Sequence, residues 1–329
     1  MKRGLLQEKT KNGVRCLNCA HLCNLSKGDF GICGMRKNTS ENIEVFNYGK
    51  LEALNMDPIE KKPIYHFLPE TKTLSIASSG CSFKCKNCQN WRLSQRKDGK
   101  AQGQRISPKK LIDLALENNA KSISYTYGEP IIFLEYALSV MKLARKNGLK
   151  NIWVSNGYFS DQSLKATLPY IDAINIDLKS FSDEFYRNIC GGRLNPVLKS
   201  IKKLEKETHL EITTLLIPEM NDSKSEINEI SKFISNLNPD IPWHVLRFSA
   251  KAAKSMNLPD TPEKIIEMAY KIGKENGLNH IYPGNMISEK NNTYCPNCES
   301  LIIKRNYYDT EVLDKNACSN CNQKINLTY

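Results

Sequence analysis

The chain lacks any apolar run long enough to cross a membrane. Ile131-Ile132-Phe133-Leu134 is broken at once by Glu135, far short of the roughly 20 residues that a spanning helix needs. No apolar signal segment lies near Met1, no repeat longer than a strand–helix unit recurs, and no low-complexity tract interrupts the sequence. A membrane protein, a solenoid and a disordered chain are thereby disfavoured, and the expectation is a soluble protein of the cytoplasm. Also lacking is a concentrated basic patch with interleaved aromatics. The net charge of +12 is spread over lysines such as Lys109, Lys110, Lys202 and Lys203, on the polar faces of expected helices. It reads as solvated surface before it reads as a nucleic-acid face. At 329 residues the chain exceeds one compact unit, so one large domain with small appendages, or two domains, is expected.

What the sequence does have is cysteine, 12 in all, grouped at metal-ligand spacings rather than as a secreted disulfide framework. Cys81-x3-Cys85-x2-Cys88 places three thiols on one short loop. A cubane iron–sulfur cluster takes one ligand per iron, so three thiolates leave one iron free for something that is not protein. A zinc ion borrowing a fourth ligand is the alternative. Near the N-terminus, Cys16-x2-Cys19-x3-Cys23-x9-Cys33 can close a site unaided, with Gly28, Gly31 and Gly34 supplying tight turns. Structural zinc is favoured, since metal binding supplies folding free energy to a small knuckle with no other core; a second iron–sulfur cluster is the main rival, and His21 can replace one thiolate. At the other end, Cys295-x2-Cys298 and Cys318-x2-Cys321 have the paired-knuckle spacing of a zinc ribbon, with Leu301 to Val312 between them as a hairpin. A rubredoxin-like iron site shares that geometry. Cys190 stands alone and reads as a small buried thiol.

Between the cysteine modules the hydrophobic pattern alternates strand and helix. Apolar runs at Thr73 to Ala77, Ser122 to Thr126, Asn151 to Ser155, Ala173 to Leu178, Glu211 to Ile217 and Trp243 to Phe248 are each followed by a helical periodicity. Ser107-Pro108, Asn195-Pro196 and Thr261-Pro262 open helices, and Gly148 closes one. A short run at His280 to Tyr282 can add a strand. Sequential strand–helix units imply parallel strands with right-handed crossovers, hence an α/β barrel or an open doubly wound sheet. The expected division is an N-terminal Cys-rich module with a connector over residues 1–71, a barrel over 72–290 and a ribbon over 291–329. Within the connector, Asp57 to Pro69 is punctuated by proline and cannot be one helix. It reads as an extended, solvated linker.

The cysteine loop Gly80-Cys81-Ser82-Phe83-Lys84-Cys85-Lys86-Asn87-Cys88-Gln89-Asn90-Trp91 resembles the signature of radical S-adenosylmethionine (SAM) enzymes. In those enzymes SAM chelates the open iron, and an electron from the cluster cleaves it to a 5′-deoxyadenosyl radical. Functional groups of parallel barrels gather at strand C-terminal ends, and here the ends carry a matching set. Tyr127-Gly128-Glu129-Pro130 resembles the Gly-Gly-Glu-Pro element that holds the methionyl amino group, with Tyr127 at the usual first glycine. Asp177-x-Lys179 resembles an Asp-x-Lys element of pyruvate formate-lyase activating enzymes, and Asn156 and His244 fall where that group contacts its cofactor. Arg247 fits either an anion contact or a core ion pair.

Taken with the N-terminal cysteines, the Asp57 to Pro69 stretch and the ribbon, the chain resembles the radical SAM protein of the AmmeMemoRadiSam system. That likeness implies a partial (βα)6 TIM-like barrel of radical SAM type, with a small N-terminal Cys-rich module and a C-terminal zinc-ribbon-like module. It implies a [4Fe-4S] cluster, SAM and zinc as cofactors, a low-potential electron donor, and Memo-like and AMMECR-like proteins as associates. The activity implied is SAM cleavage and hydrogen abstraction from a small molecule or a partner protein. A glycyl-radical activase is a narrower reading, and an RNA-modifying enzyme is one from a different class.

Overall fold

The computed structural model describes residues 2–329. Its centre is an eight-stranded sheet: β1 (Ala53–Pro58), β2 (Lys72–Ala77), β3 (Ser122–Tyr125), β4 (Lys150–Ser155), β5 (Ala173–Asp177), β6 (His209–Leu216), β7 (Trp243–Arg247) and β8 (Ile281–Gly284). Each strand pairs with its chain neighbour. The strands β2 to β8 are parallel and β1 runs antiparallel to β2. All six expected strands are present, and the short run near residue 281 forms the last one. Helices α1 (Pro108–Glu117), α2 (Leu134–Lys146), α3 (Asp161–Thr167), α4 (Leu194–Leu204), α5 (Lys224–Leu237) and α6 (Glu263–Glu275) follow β2 to β7 in turn. Among the described residues β1 and β8 do not pair, so the barrel stays open at one seam.

Local chemistry explains these boundaries. Ser107 caps α1 by accepting from the Lys110 amide, and Ser160 with Ser163 forms a capping box on α3. The buried face of α4 is Leu194, Val197, Ile201 and Leu204, spaced by three or four residues as one apolar helix stripe requires.

The expected solvated connector is instead a plug. Asp57, Glu60, Lys62, Ile64, Tyr65, His66, Phe67 and Leu68 are all buried. The register Pro58 to Lys72 brings β1 down to the N-terminal end of β2. The chain then turns into the barrel mouth, where Ile59, Ile64, Phe67 and Leu68 pack against Ile152 of β4 and Ala173 of β5. Most of its polar groups find partners inside, although Glu60 Oε2 and His66 Nδ1 are buried without one among the described residues. Lys62 pairs with Asp57 at 2.7 Å, and the Tyr65 and His66 amides donate to Glu211 at 2.8 Å each. Asn175 donates to the Pro63 carbonyl at 2.7 Å. Charged residues that neutralise one another look solvated in a linear reading, and only the fold shows them paired.

The N-terminal module consists of short antiparallel strands around Val14, Cys16, Leu25 and Ile43. A fully buried Arg36–Glu135 ion pair at 2.5 Å anchors it to α2. The C-terminal module is the expected hairpin, Leu301–Asn306 against Asp309–Val312, with Ile302, Ile303 and Ile325 as its core. It docks on the plug. Arg305 donates to the Tyr65 carbonyl at 2.8 Å with its guanidinium 4.3 Å from the Tyr65 ring centre, and the Leu68 amide donates to Thr328 at 2.7 Å. Among the described residues no helix is long and apolar enough to cross a membrane.

Two histidines set the acid sensitivity of the plugged barrel. His66 and His280 are buried with ring centres 4.5 Å apart. Burial pulls both down, His280 from 6.5 to about 4. Between pH 6.5 and 4 the unfolded chain takes up protons that the folded chain refuses, so stability falls as pH falls. We expect His280 alone to remove on the order of 3 kcal/mol across that window. Denaturant unfolding at pH 7.0, 5.5 and 4.5 measures it, and His280→Asn should flatten part of the decline.

Candidate active site

The cysteine loop leaves the C-terminal end of β2 and is held from three sides. The Gly80 amide donates to the Leu93 carbonyl at 3.0 Å, closing the loop on itself. The Lys84 and Lys86 amides donate to the Cys190 and Ile189 carbonyls at 2.7 and 3.0 Å, tying it to the turn Tyr186–Cys190. From the N-terminal module the Asn47 amide group donates to the Ser79 carbonyl at 2.8 Å. Gly80 has φ +99°, and a Cβ there would lie 2.5 Å from Met35 Cγ, so only glycine fits.

Cys85 is buried and Cys81 and Cys88 are half-buried. Burial raises the pKa of Cys81 and Cys88; at Cys85 the Cys190 thiol raises it first, with burial second. Such thiols stay protonated until a cation arrives to stabilise the thiolates. Two donors point at Cys81, the Phe83 amide at 3.3 Å and the Asn156 side chain at 3.6 Å, and Ser94 Oγ lies 3.2 Å from the Cys88 sulfur. Hydrogen bonds to sulfur tune the potential of an iron–sulfur centre.

Beside the loop stands Glu129, 1 % exposed. Its carboxylate accepts from the Asn156 amide and Ser155 Oγ at 2.9 Å each and from the Ile131 amide at 3.2 Å. Burial outweighs those bonds and raises it to about 7. Asn156 joins carboxylate to loop, since its side chain also donates to Ser82 Oγ at 3.0 Å. Tyr127 sits at φ +59°, the left-handed region where glycine is the unstrained residue. Its phenol is held in place by Asp57, and its ring lies 4.4 Å from Lys62 Nζ. At Gly128 a Cβ would lie 3.0 Å from the Ser78 carbonyl oxygen, so this position has no room for a side chain.

Asp177 and Lys179 pair with each other at 2.8 Å. Burial works against the Lys179 ammonium, but Asp177, Cys85 and Cys190 outweigh it and the net shift is upward. Lys179 therefore lies within electrostatic reach of the cysteine loop. His244 is level with Asp177 through the register Asp177, Thr213, His244. Its contacts are Glu211 at 2.6 Å and the Tyr65 ring at 4.7 Å. Arg247 donates to the Thr261 carbonyl at 3.0 Å and to Glu263 at 3.3 Å. Sequence reading did not single out Ser82, Ser94 and Ser155, because a lone serine carries no spacing signal, whether in a loop like Ser82 or at the end of a helix or strand like Ser94 and Ser155. Cys190 was visible, but not that its thiol lies against Cys85.

Among the described residues only Cys295, Cys298, Cys318 and Cys321 bring four ligand atoms within 4.8 Å of one another. Their sulfurs approach to 3.6 Å for Cys295 and Cys321 and 3.5 Å for Cys298 and Cys318. A tetrahedral ion with metal–sulfur bonds of about 2.3 Å needs sulfurs about 3.8 Å apart. The three sulfurs of the loop do not form such a group.

Residues 75–234 match the family model described as the Radical SAM superfamily. An uncharacterized protein of Methanocaldococcus jannaschii is 36% identical over 335 residues, covering 99% of each chain. The pyruvate formate-lyase-activating enzyme of Clostridium pasteurianum is 23% identical over 184 residues, 51% of this chain and 73% of that one. In fold, the chain is similar to the crystal structure of a radical SAM methyltransferase from Sphaerobacter thermophilus, with a TM-score of 0.53 and 12% identity over 67% of this chain and 68% of that one.

The geometry separates ligands from neighbours. Cys190→Ala is expected to retain about four irons at this loop, and Cys81→Ala, Cys85→Ala and Cys88→Ala each to lose that cluster. Iron and sulfide assays after anaerobic reconstitution read the difference.

Proposed function

We propose how the site works from one premise: the chain belongs to the radical SAM superfamily and is an enzyme related to the pyruvate formate-lyase activating enzymes. Cys81, Cys85 and Cys88 hold a [4Fe-4S] cluster, and SAM fills its open corner. Bound there, the cluster supplies the electron that cleaves SAM, and hydrogen abstraction from substrate follows. The observation that carries this reading is the unbroken link from the buried Glu129 carboxylate through Asn156 to Cys81.

The chain's own residues divide the work. Glu129 receives the methionyl ammonium, with the left-handed turn at Tyr127 and the bare backbone of Gly128 letting the cofactor approach. Asn156 orients Glu129 and donates to sulfur. Asp177 and Lys179 present an acceptor and a donor from one strand end, suited to the ribose hydroxyls and the carboxylate of SAM. His244, held by Glu211, lines the barrel interior at the same level. A cavity of about 490 Å³ beside the loop, lined by Gln89, Asn90, Trp91 and Lys251 among others, gives a substrate room to approach.

The finer assignments rest on the cysteine modules together. Zinc suits the close sulfurs of Cys295, Cys298, Cys318 and Cys321, where it serves a structural role. The N-terminal cysteines, the plug and the ribbon support membership of the AmmeMemoRadiSam system, with a small molecule or a Memo-like or AMMECR-like partner as the destination. A cytoplasmic enzyme served by a low-potential donor accords with the cysteine chemistry. The relation to pyruvate formate-lyase-activating enzyme favours one second reading, an activase for a glycyl-radical partner. A doublet in the partner's electron paramagnetic resonance spectrum identifies it.

Reconstituted protein with dithionite and SAM is expected to form 5′-deoxyadenosine; formation no greater than in Cys81→Ala overturns the reading. SAM affinity should also follow the Glu129 carboxylate. Below about 7 the group takes a proton and no longer pairs with the ammonium, so the dissociation constant rises as pH falls, approaching about tenfold per unit. Glu129→Gln should bind SAM more weakly at pH 8 and lose that pH dependence, as isothermal titration across pH 5.5 to 8 would show.

A further inference from the structure

The four cysteines of the N-terminal module are arranged differently from those of the ribbon. Cys16, Cys19 and Cys33 are buried and Cys23 is half-buried. The Cys16 amide donates to the Cys23 carbonyl at 2.9 Å, and the Cys23 and Cys33 sulfurs both lie 3.8 Å from where a Cβ on Gly31 would stand. Yet the four sulfurs do not close to within 4.8 Å as the ribbon's sulfurs do. Four thiols that are not gathered for one tetrahedral ion leave open the other arrangement, a cubane in which each thiolate binds its own iron. His21 is engaged elsewhere, with Nε2 2.8 Å from the Ser82 carbonyl oxygen.

A second observation is independent of the sulfurs. Arg36 is 1 % exposed, and Glu135 engages only its Nη2. Nε and Nη1 are buried with no hydrogen-bond partner among the described residues, and the anions in reach besides Glu135 are Cys16 and Cys33. A buried guanidinium edge without acceptors is costly. An anionic sulfur-rich group held by those cysteines supplies the acceptors.

The two cysteine sets are also neighbours. A Cβ on Gly80, the residue before Cys81, would lie 3.0 Å from the Cys33 carbonyl oxygen. Lys84 Nζ is buried without a partner among the described residues and feels both Cys81 and Cys33. The rings of His21 and Phe83 flank Tyr158 at 4.8 and 4.9 Å. Leu22 and Ile32, next in sequence to Cys23 and Cys33, are exposed.

We propose that Cys16, Cys19, Cys23 and Cys33 hold a second [4Fe-4S] cluster through which electrons enter the cluster at Cys81, Cys85 and Cys88. A low-potential one-electron donor protein is oxidised as the N-terminal cluster is reduced by one electron. That electron then passes inward and the N-terminal cluster returns to its oxidised form; no bond forms or breaks in the relay. The site stands by itself, whereas its relay role rests on the SAM-cleaving reading.

Metal content tests the site without any turnover. Anaerobically purified wild-type protein is expected to carry about eight irons and one zinc. The combined variant Cys81→Ala, Cys85→Ala, Cys88→Ala should keep about four irons and a reducible paramagnetic signal. A variant with no iron and a second zinc overturns the proposal, whether or not wild type cleaves SAM. The relay is read in wild type, so that no variant need fold. Protein fully reduced and then freed of donor should yield about two molecules of 5′-deoxyadenosine per chain, one for each stored electron, with both signals decaying. One molecule per chain with the N-terminal signal unchanged overturns the relay and leaves the site. No product at all, with about eight irons present, overturns the SAM-cleaving reading and with it the relay.

Discussion

A carboxylate buried inside a barrel must be hydrogen-bonded, because an unpaired charge there costs more than a domain can spare. Glu211 is that carboxylate, and much of the molecule is arranged around satisfying it. It accepts from the Tyr65 and His66 amides at 2.8 Å each, from His209 at 3.0 Å and from His244 at 2.6 Å. Burial raises its pKa, but the bonds from His209 and His244 outweigh burial and the net shift is well downward. The amides come from the plug, so pairing the charge also closes the lower mouth of the barrel. The plug in turn offers the Tyr65 and His66 carbonyls on which the ribbon docks, accepting from Arg305 and the Thr328 amide.

Glu129 is buried to the same degree and balanced differently. It accepts two amides and one hydroxyl but has no cationic partner among its hydrogen bonds, and burial lifts it to about 7. One carboxylate is therefore fully paired by the fold and the other is left without a cation. That difference separates a structural charge from a functional one, since perturbed carboxyls collect where a ligand completes the set. Asn156 links the second carboxylate to the sulfur of Cys81, so the buried carboxylate and the cysteine loop are mechanically one unit.

The barrel was legible in the linear chain because its signal is local. Strand runs such as Ala173 to Leu178 and helix signals such as Ser107-Pro108 depend on residues a few positions apart, and they return as β5 and α1. The plug was not legible. Lys62 and Asp57 look like solvent-facing charges until the chain is folded into a cavity that pairs them. Tyr127 looked like a departure from a glycine pattern; the left-handed backbone explains the glycine, and the Asp57 contact explains the tyrosine.

Spacing along the chain determined which cysteines belong together, since ligands on one loop are close whatever the rest of the chain does. It also determined the order of the parallel strands, because each strand–helix unit returns beside the last. Only the tertiary structure decided how far apart the sulfurs stand, which acceptor each buried donor finds, and that Cys33 lies against Gly80. Those are distances between segments remote in sequence. They are set by packing and by the need to satisfy buried charge, and neither is written in any local run of residues.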